Sequence, residues 1–232
     1  MLDRISEVGD HFGLNINTSK TIILVISRTQ QPPVSVKIYG RDIEVVENFR
    51  YLGTWLNRGL DSDTEVRARI EQARATFNSM KQILTNRNIS LHLRYRFVIC
   101  FVYSVLLYGS ESWTLKVTTM NRLEAFEMWI LRRLLKIPWT AHVTNEEVLR
   151  RAQCERELLQ MVKRRKTAYL GHVMRNDKYD LLKLIMEGRR GIGRRKYCWL
   201  KNIRDWTGLD ANSLFPAAKD REGFAEIVSN LR

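Results

Sequence analysis

Apolar and polar positions change their rhythm at about residue 60. Before that point apolar residues come in short bursts between turn residues. Leu2, Ile5 and Val8 recur every three residues and predict a helix over 1–12, with Gly13 as its stop. A polar turn follows at Asn15–Lys20. Thr21–Ile26 is a β-branched run and reads as a buried strand. Pro32-Pro33 interrupts the chain, and Val34–Tyr39 alternates as a half-buried strand does. Gly40-Arg41-Asp42 predicts a turn with Ile43–Val46 returning as a hairpin, and Phe49–Leu56 is a further strand.

Beyond residue 60 the spacing becomes helical. Asp61, Ser62 or Asp63 can cap a helix carrying Val66, Ile70, Ala73, Phe77, Met80 and Leu84. A second helix is predicted over 90–108. It is apolar nearly all round, which marks it as central. A third covers 118–135, ending before Pro138. A fourth starts at Thr144-Asn145-Glu146-Glu147, which has capping-box spacing. A fifth covers 155–174, and shorter helices are expected near 179–187, 195–206 and 217–230. Gly188–Gly193 reads as a hinge. The expected class is α+β, a small antiparallel β-rich head followed by a mostly α-helical body.

Charge sharpens this picture. The 232 residues carry 39 Lys+Arg against 25 Asp+Glu, a formal net charge of +14. Residues 160–208 hold 14 basic and 4 acidic residues, so +10 of the excess sits in one stretch. A concentrated positive field favours a polyanionic partner, RNA or DNA. Three Cys make no disulfide framework and point to a reducing, intracellular compartment, nuclear or cytoplasmic. The longest apolar run, Phe97–Tyr108, is about a dozen residues where roughly 20 would span a bilayer, so no membrane partner is expected.

Several chemistries have no support in the residues. There is no adjacent Asp pair for two-metal catalysis and no Gly-rich phosphate loop. Cys100 lies in the apolar helix and reads as a core residue. Cys154, His172 and Cys198 lack the close pairing of zinc ligands. No Ser or Cys nucleophile motif stands with the four His. No catalytic residue, metal ligand or cofactor is expected in this chain.

The remaining motifs form an ordered set. Gly13-Leu14-Asn15-Ile16-Asn17-Thr18-Ser19-Lys20-Thr21 precedes Phe49-Arg50-Tyr51-Leu52-Gly53. Leu107-Tyr108-Gly109-Ser110-Glu111-Ser112-Trp113, Arg132-Arg133-Leu134-Leu135-Lys136-Ile137, Tyr169-Leu170-Gly171-His172-Val173-Met174-Arg175 and Arg194-Arg195-Lys196-Tyr197-Cys198-Trp199-Leu200 follow. In this order they resemble the C-terminal part of the reverse transcriptases of non-LTR (LINE-type) retrotransposons, from Met1 to about Trp206. Gly191-Ile192-Gly193-Arg194-Arg195-Lys196 departs from the family's Gly-Arg-Gly-Arg-Pro, losing one Arg and the Pro.

The resemblance implies a division into an end-of-palm remnant (1–60), a helical thumb (61–140), a basic helical extension (141–208) and a C-terminal helix (209–232). It also implies that the Asp-Asp motif, the fingers and most of the palm would precede Met1. Mg²⁺ is then expected only for the complete parent enzyme, and this chain is expected to be inactive alone. Lys20 would lie near the incoming nucleotide, and Tyr51, Leu52 and Gly53 near the primer end. A host-adopted helical module for protein or nucleic-acid binding, with no polymerase role, is the alternative.

The basic residues themselves nominate two nucleic-acid contacts. One is Lys163-Arg164-Arg165-Lys166, four cations in a row on a predicted helix. Steps of about 100° spread them round most of the helix, so Arg165 and Lys166 would run beside the apolar stripe. The other is Arg189, Arg190, Arg194, Arg195 and Lys196, next to Tyr197 and Trp199. Such groups hold phosphates and carry little sequence information, so mainly backbone contacts are expected.

Overall fold

The computed structural model describes residues 2–26, 35–59, 62–188 and 198–231. The chain divides into two compact units, Met1–Asp61 and Ser62–Arg232.

The first unit opens with α1 (Leu2–His11), which ends at Gly13 in a left-handed conformation, φ 68°. Among the described residues six short strands follow: β1 (Ile22–Leu24), β2 (Lys37–Ile38), β3 (Arg41–Asp42), β4 (Glu44–Val46), β5 (Asn48–Tyr51) and β6 (Thr54–Asn57). They form three separate pairs. β2 and β3 make a hairpin, as do β5 and β6, with Phe49 opposite Leu56. The head is not wholly antiparallel. β4 does not return on β2; it pairs in parallel with β1, Ile23 opposite Val45. The hairpin is completed sooner than expected because Tyr39 and Gly40 both adopt positive φ, the two-residue turn that matches strand twist. Among the described residues of this unit, Ile38 and Ile43 are the buried apolar side chains, while Ile5, Val8, Phe12 and Leu14 are exposed. So little burial leaves the head weakly held.

The second unit is helical. Its elements are α2 (Asp63–Ser79), α3 (Lys81–Leu84), α4 (Leu91–Phe97), α5 (Ser104–Leu106), α6 (Val117–Leu134), α7 (Asn145–Ala152), α8 (Leu158–Arg175), α9 (Asp180–Glu187), α10 (Trp199–Thr207), α11 (Ala211–Lys219) and α12 (Arg221–Ser229). The expected central helix is broken into α4, a π-helical stretch Val98–Tyr103 and α5. Within it Val98, Val102 and Tyr103 are buried, but Cys100 is exposed and is not a core residue. Uniform apolarity conceals which face looks outward. The single helix expected over 217–230 is two, because Asp220 caps α12 by accepting a hydrogen bond from Glu222 N.

Two buried clusters share α8. Leu158, Leu159 and Val162 join Val66, Phe77, Leu106, Trp113, Leu123, Leu131 and Val148 in the larger one. Leu170 and Met174 join Ile203, Leu214, Ala218 and Phe224 in the smaller. The larger cluster draws on residues either side of 140, and the smaller on residues either side of 208. Charged groups tie the helices at their ends. Glu127 of α6 is buried and accepts hydrogen bonds from Glu157 N (2.8 Å) and Leu158 N (3.0 Å), capping α8 from another helix. Burial raises its pKa. Asp63 accepts from Thr119 and pairs with Arg122 at 3.1 Å. The Thr119 hydrogen bond is the main cause of its lowered pKa. Among the described residues, no helix is long and apolar enough to cross a membrane.

Candidate nucleic-acid interface

Residues 163–166 lie in the middle of α8, where steps of about 100° place them against different neighbours. Lys166 is fully buried, which corrects the expectation that it contributes to a basic face. Its Nζ donates to Trp113 O (2.7 Å) and Asn202 Oδ1 (2.8 Å), and lies 5.1 Å and 5.3 Å from the ring centres of Trp199 and Trp206. Burial pulls its pKa down to about 7. Asn202 in turn accepts from Leu115 N and donates Nδ2–H to Leu115 O. The 107–115 segment is thus held by α8 and α10. Trp199 Nε1 donates to Glu111 O at 2.7 Å, so this indole is a structural anchor and not a free stacking surface.

The other three cations of the run differ. Lys163 is half-buried with Nζ 6.0 Å from the Trp206 ring centre, and burial lowers its pKa. Arg165 is exposed. It donates to Leu107 O at 3.4 Å and lies 3.7 Å from Glu111, which screens its charge. Arg164 is exposed, with one guanidinium N–H donated to Ser229 O at 3.3 Å.

Arg164 also borders a cleft of about 890 Å³. His92, Tyr95 and Arg96 of α4 line one side, Arg150 of α7 another, and Arg156, Gln160 and Arg164 the third. Glu155 and Glu157 are its acidic members. Glu157 accepts a hydrogen bond from Tyr95 Oη, Arg150 is gripped by Glu147, and Arg156 pairs with Glu124. Arg96 is exposed and makes no ion pair among the described residues. Cations from three helices therefore converge on a concave surface about as large as a ligand cleft. Sequence reasoning missed Arg96, Arg150 and Arg156. They lie up to 68 positions from Arg164, counting from Arg96, and no local pattern links them.

The remaining nominated residues are scattered. Arg189, Arg190, Arg194, Arg195 and Lys196 lie outside the described residues, as does most of the Gly188–Gly193 hinge. Lys20 is exposed in the first unit, in a turn built by Asn17, whose Oδ1 accepts from Ser19 N and Lys20 N. Tyr51 is exposed at the end of β5, and Leu52 and Gly53 form the β5–β6 turn with φ 48° and 82°. Lys20 and the Tyr51 turn belong to the first unit, and the α8 cations to the second. No group of three or more potential metal ligands occurs among the described residues.

Comparison with known proteins gives one informative likeness. The chain is 28% identical over 250 residues to an uncharacterized transposon-derived protein of Caenorhabditis elegans, covering 98% of this chain and 87% of that protein. The match runs nearly end to end and supports a transposable-element origin. No family model matches, and no solved structure matches.

Proposed function

We propose that this chain derives from the reverse transcriptase of a non-LTR retrotransposon and binds nucleic acid through the cleft between α4, α7 and α8. The cleft is the observation that carries the reading, because Arg96, Arg150, Arg156 and Arg164 converge there from separate elements. A phosphate backbone offers the repeated charge such a surface can hold, and releases counterions when it does. The motif order and the end-to-end likeness to a transposon-derived protein support the retrotransposon side of the reading.

Catalysis is not assigned to this chain, since none of its residues forms the Asp-Asp motif that the polymerase reaction needs. Mg²⁺ belongs to the complete parent enzyme in this reading. Pure protein supplied with template, primer, nucleotides and Mg²⁺ or Mn²⁺ is expected to incorporate nothing, and incorporation would refute that part.

Binding is tested by titrating RNA and DNA duplexes over a range of salt. Arg96→Ala with Arg164→Ala should weaken binding and flatten log K against log salt by about 2, near 0.9 per lost phosphate contact. An unchanged slope would count against the cleft. A second reading, a helical protein-interaction module, draws on α9, where Leu181, Leu184 and Ile185 are 73%, 68% and 60% exposed. Weak, salt-insensitive nucleic-acid binding together with a stable protein partner would favour it.

A further inference from the structure

A second concave site adjoins that cleft, sharing Arg156 with it, and lies along α6. Lys136 ends the helix at φ 56°, and Ile137 N donates to Arg132 O at 2.8 Å. Pro138 then starts the single turn Trp139–Ala141. This geometry leaves Trp139 82% exposed, more than any other large apolar side chain among the described residues. Its ring borders a groove of about 640 Å³, whose apolar walls are Met128, Trp129, Ile137 and Pro138.

Guanidinium groups surround these walls. Arg132 lies 6.0 Å from the Trp139 ring centre and is held from behind by Val143 O (2.7 Å) and Asn145 Oδ1 (3.0 Å). Arg133 lies 4.2 Å from the Trp129 ring centre and has no ion-pair partner among the described residues. Arg156 lines the groove too, paired with Glu124, its acidic member. Among the described residues three arginines face one carboxylate.

We infer that this groove binds single-stranded nucleic acid, with an unpaired base stacked on Trp139 and the flanking phosphates held by Arg132 and Arg133. An apolar helix from a protein partner fits less well, because seating it would desolvate guanidinium groups without supplying anions. A duplex also fits less well, since its base faces are already stacked. A flexible strand offers both a planar apolar face and negative charge at its edges. The inference rests on the nucleic-acid reading above, but Trp139, Arg132 and Arg133 line the groove and not the cleft, while Arg96 and Arg164 line the cleft and not the groove, so the two can fail separately.

The test compares wild type, Trp139→Ala, Trp139→Phe and the Arg96→Ala/Arg164→Ala double variant in the full chain. Each is titrated with oligouridine and with an RNA duplex, and tryptophan fluorescence and anisotropy are read. Trp139→Ala should weaken oligouridine binding about tenfold, within the range of a lost base stack. It should leave duplex binding unchanged, and Trp139→Phe should retain most of the affinity. Because Trp139 is exposed, an unchanged circular dichroism spectrum is expected for both. Oligouridine binding by Trp139→Ala at wild-type strength would overturn the inference while leaving the cleft reading intact. Failure of wild type to bind either ligand would overturn both. Saturable quenching of wild type by an amphipathic helical peptide but not by oligouridine would also overturn it, assigning the groove to a protein partner.

Discussion

Lys166 Nζ lies 2.8 Å from Asn202 Oδ1, and through that contact a buried cation on α8 holds α10 and the 107–115 segment together. The surroundings satisfy the ammonium with two oxygen acceptors and two indole faces. A residue nominated for phosphate contact from its place in a basic run is part of the structural core.

Removing either member should therefore cost stability and not binding. Asn202→Ala strips partners from Lys166 and from both backbone groups of Leu115, and a loss of about 2–4 kcal/mol is expected. Lys166→Met keeps the length of the side chain but leaves Trp113 O bare, and should cost about 1–3 kcal/mol. Urea unfolding of both single variants and the double variant would show non-additivity if the contact is direct.

The same lysine sets a pH dependence. Burial lowers its pKa from 10.5 to about 7, so between these values the unfolded chain holds a proton that the folded chain has released. Folding stability should then rise with pH from about 7 to about 9, above which the Cys154 thiol, pushed up by burial, works in the opposite direction. Lys166→Met should remove that rise. A wild-type stability that falls over this window, measured by urea unfolding at several pH values, would contradict it.

Gly171 supplies a packing test. A Cβ there would sit 2.6 Å from Arg175 Nη1 and 2.7 Å from Phe224 Cδ1. The arginine tip can swing away, but Phe224 is 2% exposed and cannot. Gly171→Ala gains up to about 1 kcal/mol of helix propensity and loses more by forcing α12 off α8. A net loss of about 1–2 kcal/mol is expected by thermal or urea unfolding.

Leu52 is expected to gain from substitution. It occupies a left-handed conformation at φ 48°, which costs a branched residue about 1–2 kcal/mol, and its side chain is 75% exposed. Leu52→Asn should slow amide exchange across β5 and β6, since Asn tolerates this conformation and the hairpin stays paired. Faster exchange would show that the leucine side chain supports the turn.

The helical body is largely legible in the residue pattern. Val66, Ile70, Ala73 and Phe77 recur with helical spacing and are all buried on α2. Thr144 caps α7 by accepting from Glu147 N, though the Glu147 carboxylate turns to Arg150 and Arg151 instead of closing the box. The head is less legible. Whether β4 pairs with β2 or β1 depends on a two-residue turn at Tyr39-Gly40, and strands of two or three residues carry too little pattern to specify a partner.

The candidate site divides along the same line. Sequence by itself determined the helix periods, the +14 charge and its concentration in residues 160–208, because these are local or additive properties. Tertiary structure alone decided what each cation does. Four adjacent positions on one helix point in four directions, so Lys166 enters the core, Arg165 meets Glu111, Lys163 lies by Trp206 and Arg164 borders the cleft. The arginines that join it, Arg96, Arg150 and Arg156, come from other elements of the chain. Only packing brings them together, because a field depends on distances through space and not along the chain.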